Sequence, residues 1–382
     1  MSMLTYEQVL AAPLADLKEA ADQWSKAARV MGAQQDNYRD QVIVPTSASW
    51  HGADADAAQD FMGKVSKELY DAMTEADAIH GVLVEAHTAI TAARRELLRL
   101  ADEEAPRLGL VVGAGGKAHT KAPVELDLGK RIQNEQNIKA LEKAIVNARA
   151  AAHEADRAAA WALGRNTGGS DNEFNPGSYS TLGSAKAGLG EAHYADASNF
   201  IFDEMKTNIN SSQVKDIRWN MEQSESPWAV INPVPGSMAG PRAVGLAIWY
   251  EQVKSGGPWD HKPILEKRYD LQSSNDFYFK VPDRDVEVSY DIYSNIHYGY
   301  VGRSAGISRL ELIEAANAGT GGTGTNDPGD DMSMTIGMDL YEKYGPNMTK
   351  EQMDAAVLQL VDEMEAKRRA GDASITQVRP TR

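Results

Sequence analysis

Residues 47–52 read Ser47-Ala48-Ser49-Trp50-His51-Gly52, a Trp-x-Gly set between two long alanine-rich stretches. Upstream, Leu14, Leu17, Ala21, Trp24, Ala28 and Val30 recur near the helical period, and downstream no proline occurs before Pro106. This pattern predicts a helical hairpin. A first helix runs from about 14 to 39 and is ended by Val44-Pro45, Gly52 makes the tight reversal with Trp50 packed across the hairpin end, and a second helix runs to about 104. A third stretch, about 128 to 163, follows Gly113-Ala114-Gly115-Gly116. That glycine run lacks the Gly-x-x-x-x-Gly-Lys-Ser/Thr pattern of a phosphate loop and its preceding strand, and reads as a hinge.

Further out, Gly168-Gly169-Ser170, Asn175-Pro176-Gly177-Ser178 and Gly183-Ser184 mark residues 166–190 as a linker. Beyond it aromatics concentrate, and helices are expected near 196–208, 213–222, 242–254 and 305–318. Phe277-Tyr278-Phe279 and Val286-Glu287-Val288, separated by Pro282-Asp283, read as a small β-hairpin. After Thr349, Met353, Val357, Leu360, Val361 and Met364 follow helical spacing, and residues 371–382 read as a frayed end. The expected fold class is α+β. An all-α helical-hairpin domain (1–165) is joined by the Gly/Ser linker to a helix-rich domain with a small β-hairpin (191–348), and an amphipathic helix and tail (349–382) close the chain.

Composition narrows the chemistry. The chain of 382 residues has a net charge of -16, and residues 191–350 alone hold 23 acidic against 14 basic side chains. Such a surface repels nucleic acid and anionic membrane at long range. The absence of cysteine excludes disulfides, thiolate catalysis and cysteine-based zinc sites. No apolar run reaches the roughly 18 residues of a membrane span, and the start lacks the basic-then-apolar pattern of a Sec signal. Stable membrane insertion is not expected, and export would use a non-Sec route.

Proton-transfer groups cluster in two stretches, Gly256-Gly257-Pro258-Trp259-Asp260-His261-Lys262 and Ser294-Asn295-Ile296-His297-Tyr298-Gly299-Tyr300-Val301-Gly302. Both read as active-site loops. A metal-independent ribonuclease needs a base, an acid and a cation for the phosphorane charge. His261 and His297 supply the first two, Lys262 the third, and Asp260 orients a histidine; Tyr298 joins the catalytic set. Trp259, Asn295 and Tyr300 are candidate substrate contacts. The acidic run Asn326-Asp327-Pro328-Gly329-Asp330-Asp331 leaves two alternatives open. Asp260 paired with Asp330 or Asp331 suits acid–base hydrolysis of a glycan. Asp327, Asp330 and Asp331 also suit a divalent metal, the one cofactor the residues admit.

Two resemblances attach to these residues. The first hundred residues resemble the WxG-type helical hairpins exported by type VII secretion systems of actinobacteria and firmicutes. That implies pairing with a small helical WxG-type partner chain. The tyrosine-x-x-x-acid signal that accompanies such hairpins is missing, since Tyr70 is followed at the fourth position by Thr74. A partner would then carry the signal, or another route is used. Trp249-Tyr250-x-x-Val253-x-x-Gly256-Gly257-Pro258-Trp259-Asp260-His261-Lys262, then Asn295 to Gly302, then the acidic run with Ile336-Gly337-x-x-Leu340-Tyr341, resemble the bacterial polymorphic toxin type 44 domain over about 196–345. Ser294 stands where glycine is expected, and residues 319–324 form an additional glycine-rich lead. The resemblance implies a secreted effector enzyme acting in a target bacterial cell and countered by a cognate immunity protein. The family has been described as a predicted ribonuclease. The expected function is therefore a toxin hydrolase on RNA, with peptidoglycan as the second substrate reading and a non-enzymatic secretion adaptor as the third.

Overall fold

A computed structural model describes residues 3–121, 128–167, 174, 179–225, 240–317 and 326–381. The linker motifs at 168–170 and 175–178 and the glycine-rich lead at 319–324 lie outside the described residues. The fold is mostly helical with small antiparallel sheets, as the α+β reading expects. Contacts divide the chain into two compact units, Met1–Leu189 and Gly190–Arg382.

In the first unit α1 (Tyr6–Leu10) precedes the hairpin of α2 (Leu14–Tyr38) and α4 (Ala53–Arg99). Gly52 has φ 111°, a conformation that only glycine adopts without strain, so the reversal is where the Trp-x-Gly pattern puts it. Two expectations are corrected. The first helix does not end at Val44-Pro45: a π turn (Arg39–Ile43) leads into α3 (Val44–Ser49), with Pro45 in its first turn. A π turn loosens the backbone ladder just upstream of the proline, where its ring would otherwise press on the preceding turn. Trp50 does not pack across the hairpin end; it is 45% exposed.

The short helix α5 (Ala105–Arg107) leads into a ribbon of β1 (Leu110–Val112) and β2 (Ala118–Thr120). Gly113–Gly116, read above as a hinge, is the turn of this ribbon. A Cβ on Gly116 would lie 2.9 Å from Ile145 and 3.1 Å from Tyr6, so the glycine is a packing element. Alanines on α4 and on α6 (Leu128–Asn166), among them Ala86, Ala93, Ala152, Ala155 and Ala162, are buried where these helices meet. Their small side chains let long helices approach closely.

The helix α7 (Leu182–Asn208), within which the unit boundary falls, starts well before the expected residue 196. In the second unit, α8 (Ser212–Glu225), α9 (Pro241–Val253) and α10 (His261–Tyr269) are followed by β3 (Tyr278–Lys280) and β4 (Val286–Ser289). Then come α11 (Ile292–Ser304), α12 (Arg309–Asn317), α13 (Pro328–Tyr344) and α14 (Lys350–Arg369). The stretch 294–302, expected as a loop, is helical in α11. Its Gly299 and Gly337 of α13 serve packing: a Cβ on Gly299 would lie 2.1 Å from the Met334 carbonyl oxygen, and one on Gly337 2.1 Å from that of Ile296. α11 and α13 therefore touch backbone to backbone.

The end of the chain is also corrected. Residues 371–382 are not simply frayed, because β5 (Val378–Pro380) pairs antiparallel with β4 and makes the hairpin a three-stranded sheet. Val286, Val288, Phe279 and Val378 turn into the core, and on the other face Arg379 pairs with Glu287 directly opposite. Core residues and a cross-strand ion pair tie this segment down.

Candidate active site

One cleft of about 710 Å³ in the second unit gathers most of the chemistry-bearing residues. Leu246, Trp249, Tyr250 and Val253 line it from a single face of α9, at the spacing that keeps side chains on one side of a helix. The chain then turns tightly. Gly256 takes φ 74°, the Trp259 amide donates to the Gln252 carbonyl at 2.8 Å, and the Gly256 amide donates to Asp260 Oδ2 at 2.9 Å. Asp260 thus braces the turn while lining the cleft, and it precedes α10 without capping it. Trp249 meets Trp259 edge-on at 5.8 Å and Tyr298 at 5.1 Å, forming an aromatic wall.

Alternation along α10 and α11 sorts their polar residues. Asp260, Lys262, Ser294, Asn295 and Tyr298 face the cleft, whereas His261 and His297 point inward and are 0% and 1% exposed. The two imidazoles lie 4.2 Å apart, centroid to centroid. Nε2 of His261 is 3.2 Å from Glu204 Oε2, and Nε2 of His297 is 2.9 Å from Asn208 Nδ2, where the amide donates to the ring nitrogen. Burial lowers the proton affinity of both; Glu204 partly opposes this for His261, and the neighbouring His261 adds to it for His297. The pair is a neutral, buried polar cluster beneath the cleft, and the ring of Trp259, which lines the cleft, lies 6.1 Å from His297.

Asp330 enters from the first turn of α13. Asp327 caps that helix, accepting the Gly329 and Asp330 amides at 2.9 and 3.0 Å, and this fixes where the Asp330 side chain starts. Asn295 Nδ2 donates to Asp330 Oδ1 at 2.7 Å, a contact that the close approach of α11 and α13 makes short enough. Burial raises the Asp330 pKa; Lys262 draws it back, and Asp291 and Asp327 push it further up. Lys262 Nζ also stands 3.5 Å from Asp291 Oδ2. The Tyr298 hydroxyl donates to the Leu312 carbonyl at 3.0 Å, and burial pushes its pKa up to about 12.

Of the residues singled out from sequence, the cleft brings together Trp259, Asp260, Lys262, Asn295, Tyr298 and Asp330. It does not include Tyr300, which is buried with its hydroxyl on the Gly345 carbonyl, nor Asp331, which accepts from Asn326. Among the described residues, no group of three or more His, Asp or Glu side chains is arranged to hold a metal ion. Asp327 spends its oxygens on two backbone amides, Thr376 and Gln377, a donor set that suits a helix cap better than a cation.

Residues 248–343 match the family model described as Bacterial toxin 44. No curated protein and no solved structure matches the chain. The toxin 44 segment spans the cleft face of α9 from Trp249 onward, the turn, α10 to α12, and α13 up to Lys343, so Asp260, Lys262, Asn295 and Asp330 fall within it. Asp291, inside the segment, and Glu204, Asn208 and Gln377, outside it, escaped the sequence reading. Asp291 stands four residues before Asn295, one turn away on a helix, and that spacing was the one available signal. The other three meet the segment only through tertiary contacts.

Among the described residues, no helix is long and apolar enough to cross a membrane.

Proposed function

We propose that this chain is a secreted antibacterial toxin whose second unit hydrolyses a glycan. Asp330 acts as general acid, Asp260, the second carboxylate, stabilises the positive charge that develops on the sugar ring, and Lys262 binds substrate oxygens. The observation that carries this reading is the sorting of side chains about one cleft: Asp260, Lys262 and Asp330 line it, while His261 and His297 lie sealed beneath. A carboxyl raised by burial suits an acid that must enter the reaction protonated. Two carboxylates in an aromatic-walled cleft are the working parts of a glycosidase, and sugar rings stack on indole and phenol faces.

Substrate charge argues the same way. Asp260, Glu311, Glu314 and Asp330 outnumber Lys254 and Lys262 among the lining residues, an arrangement that repels a polyanion and tolerates an uncharged sugar backbone such as the glycan strand of peptidoglycan. A ribonuclease is the second reading. It is favoured by Lys262 in the cleft and by an aromatic wall that stacks bases as readily as sugars. For delivery, the helical hairpin supports export by a non-Sec route with a WxG-type partner, and a cognate immunity protein would cover the cleft in the producing cell.

Expression of the full chain in bacteria, once in the cytoplasm and once behind a periplasmic export signal, separates the readings. Rounding and lysis only after export, abolished by Asp330→Asn, is the expected result. Cytoplasmic growth arrest with RNA loss, abolished by the same change, would replace the glycan with RNA. Undiminished toxicity of Asp330→Asn in both compartments would remove Asp330 from the chemistry.

A further inference from the structure

The two carboxylates at the start of α13 share a donor from the far end of the chain. Gln377, just before β5, is 3% exposed, and its carbonyl accepts the Ser289 amide at 2.7 Å, which locks its backbone into the sheet. Its Oε1 accepts the Thr376 amide at 3.2 Å, orienting the side-chain amide so that Nε2 donates to Asp327 Oδ1 at 2.7 Å and reaches Asp330 Oδ1 at 3.5 Å. The fit admits nothing larger beneath it. A Cβ on Gly329 would fall 1.7 Å from Gln377 Oε1, so glycine at 329 and glutamine at 377 occupy one space between them. Asn295 donates to the same Asp330 oxygen at 2.7 Å, and the Asp327 amide donates to Oδ2 at 3.3 Å.

We propose that Gln377 is a positioning residue of the active site, holding the Asp330 carboxyl in its orientation toward the cleft through an amide that the C-terminal strand delivers. The proposal rests on the reading of Asp330 as the acid. Gln377 lies beyond the toxin 44 match, so the catalytic unit extends past residue 343 to include β5. An amide that donates to the ionised carboxylate also opposes the rise in proton affinity that burial imposes. Thr376 provides an internal control, because its hydroxyl donates to Asp327 Oδ2 at 3.0 Å and to no oxygen of Asp330.

The test is a carboxyl titration by NMR on the full chain labelled with 13C-aspartate, with Asp330→Asn identifying the resonance. In Gln377→Leu the Asp330 carboxyl should titrate about half a pH unit higher, and further still in Gln377→Glu, which adds a negative charge of the same shape. Thr376→Val should leave the titration in place. Turnover of purified peptidoglycan should fall about tenfold in Gln377→Leu with KM held within about twofold, the pattern of a misplaced acid and not of lost binding. An unmoved Asp330 titration in both Gln377 variants, or an equal shift in Thr376→Val, overturns the proposal. So does loss of folding in both Gln377 variants while Thr376→Val stays folded, since that would make Gln377 a structural cap. Full activity in Asp330→Asn would sink the hydrolase reading separately, with the titration still deciding what Gln377 does.

Discussion

Burial holds the Asp330 carboxyl above the ordinary aspartate range. Between the unfolded and folded values the folded state keeps a proton that the unfolded chain has released. Its contribution is therefore fully present below the unfolded value and lost as pH rises through the folded one. Asp330→Asn should stabilise the protein by about 1 kcal/mol at neutral pH, with the gain shrinking in acid, while activity drops at least about a hundredfold. Thermal unfolding across pH, run beside the toxicity assay, reads both. His261 and His297 act in the opposite sense. Their folded values are depressed, so the unfolded state binds protons first as pH falls, and stability is lost below about pH 6.5. His297→Gln should flatten that acid limb of the melting curve. Sequence grouped these histidines with the catalytic set, and which face of α10 and α11 is buried depends on partners up to 89 positions away.

At the scale of elements, the α11–α13 contact sets the site. With glycine at 299 and 337 the backbones meet, and Asn295 is thereby brought within 2.7 Å of Asp330. Gly299→Ala would force its methyl against the Met334 carbonyl oxygen, and the helices would have to separate. A loss of about 3 kcal/mol is expected by denaturant unfolding, with activity falling in the fraction that remains folded. Gly337→Ala should behave alike, because the contact is reciprocal. Gly299 was visible in the sequence as a permissive position beside His297, and Gly337 as part of the Ile336-Gly337 motif. Their use in close helix packing was not, since a glycine allows a turn or a close approach equally well and only the neighbouring backbone decides between them.

Across the whole molecule, Gln377 reaches the Asp327 and Asp330 carboxylates from outside the family match. Removing residues 372–382 takes away β5 and with it Val378 from the core, the Arg379–Glu287 pair and the Gln377 amide. Toxicity should be lost although residues 248–343 remain whole, and limited proteolysis should show new cleavage near the uncovered β4 edge. The long helices of the first unit, the Gly52 reversal, the β3–β4 hairpin and the amphipathic α14 were all determined by the sequence itself, because each depends on period, cap or turn chemistry within a few residues. Tertiary structure alone decided that 294–302 is a helix, that the histidines are sealed from the cleft, and that Asp291, Glu204 and Gln377 belong around it. Each of those outcomes comes from burial and from hydrogen bonds between segments far apart in the chain, and neither quantity exists until the chain has folded.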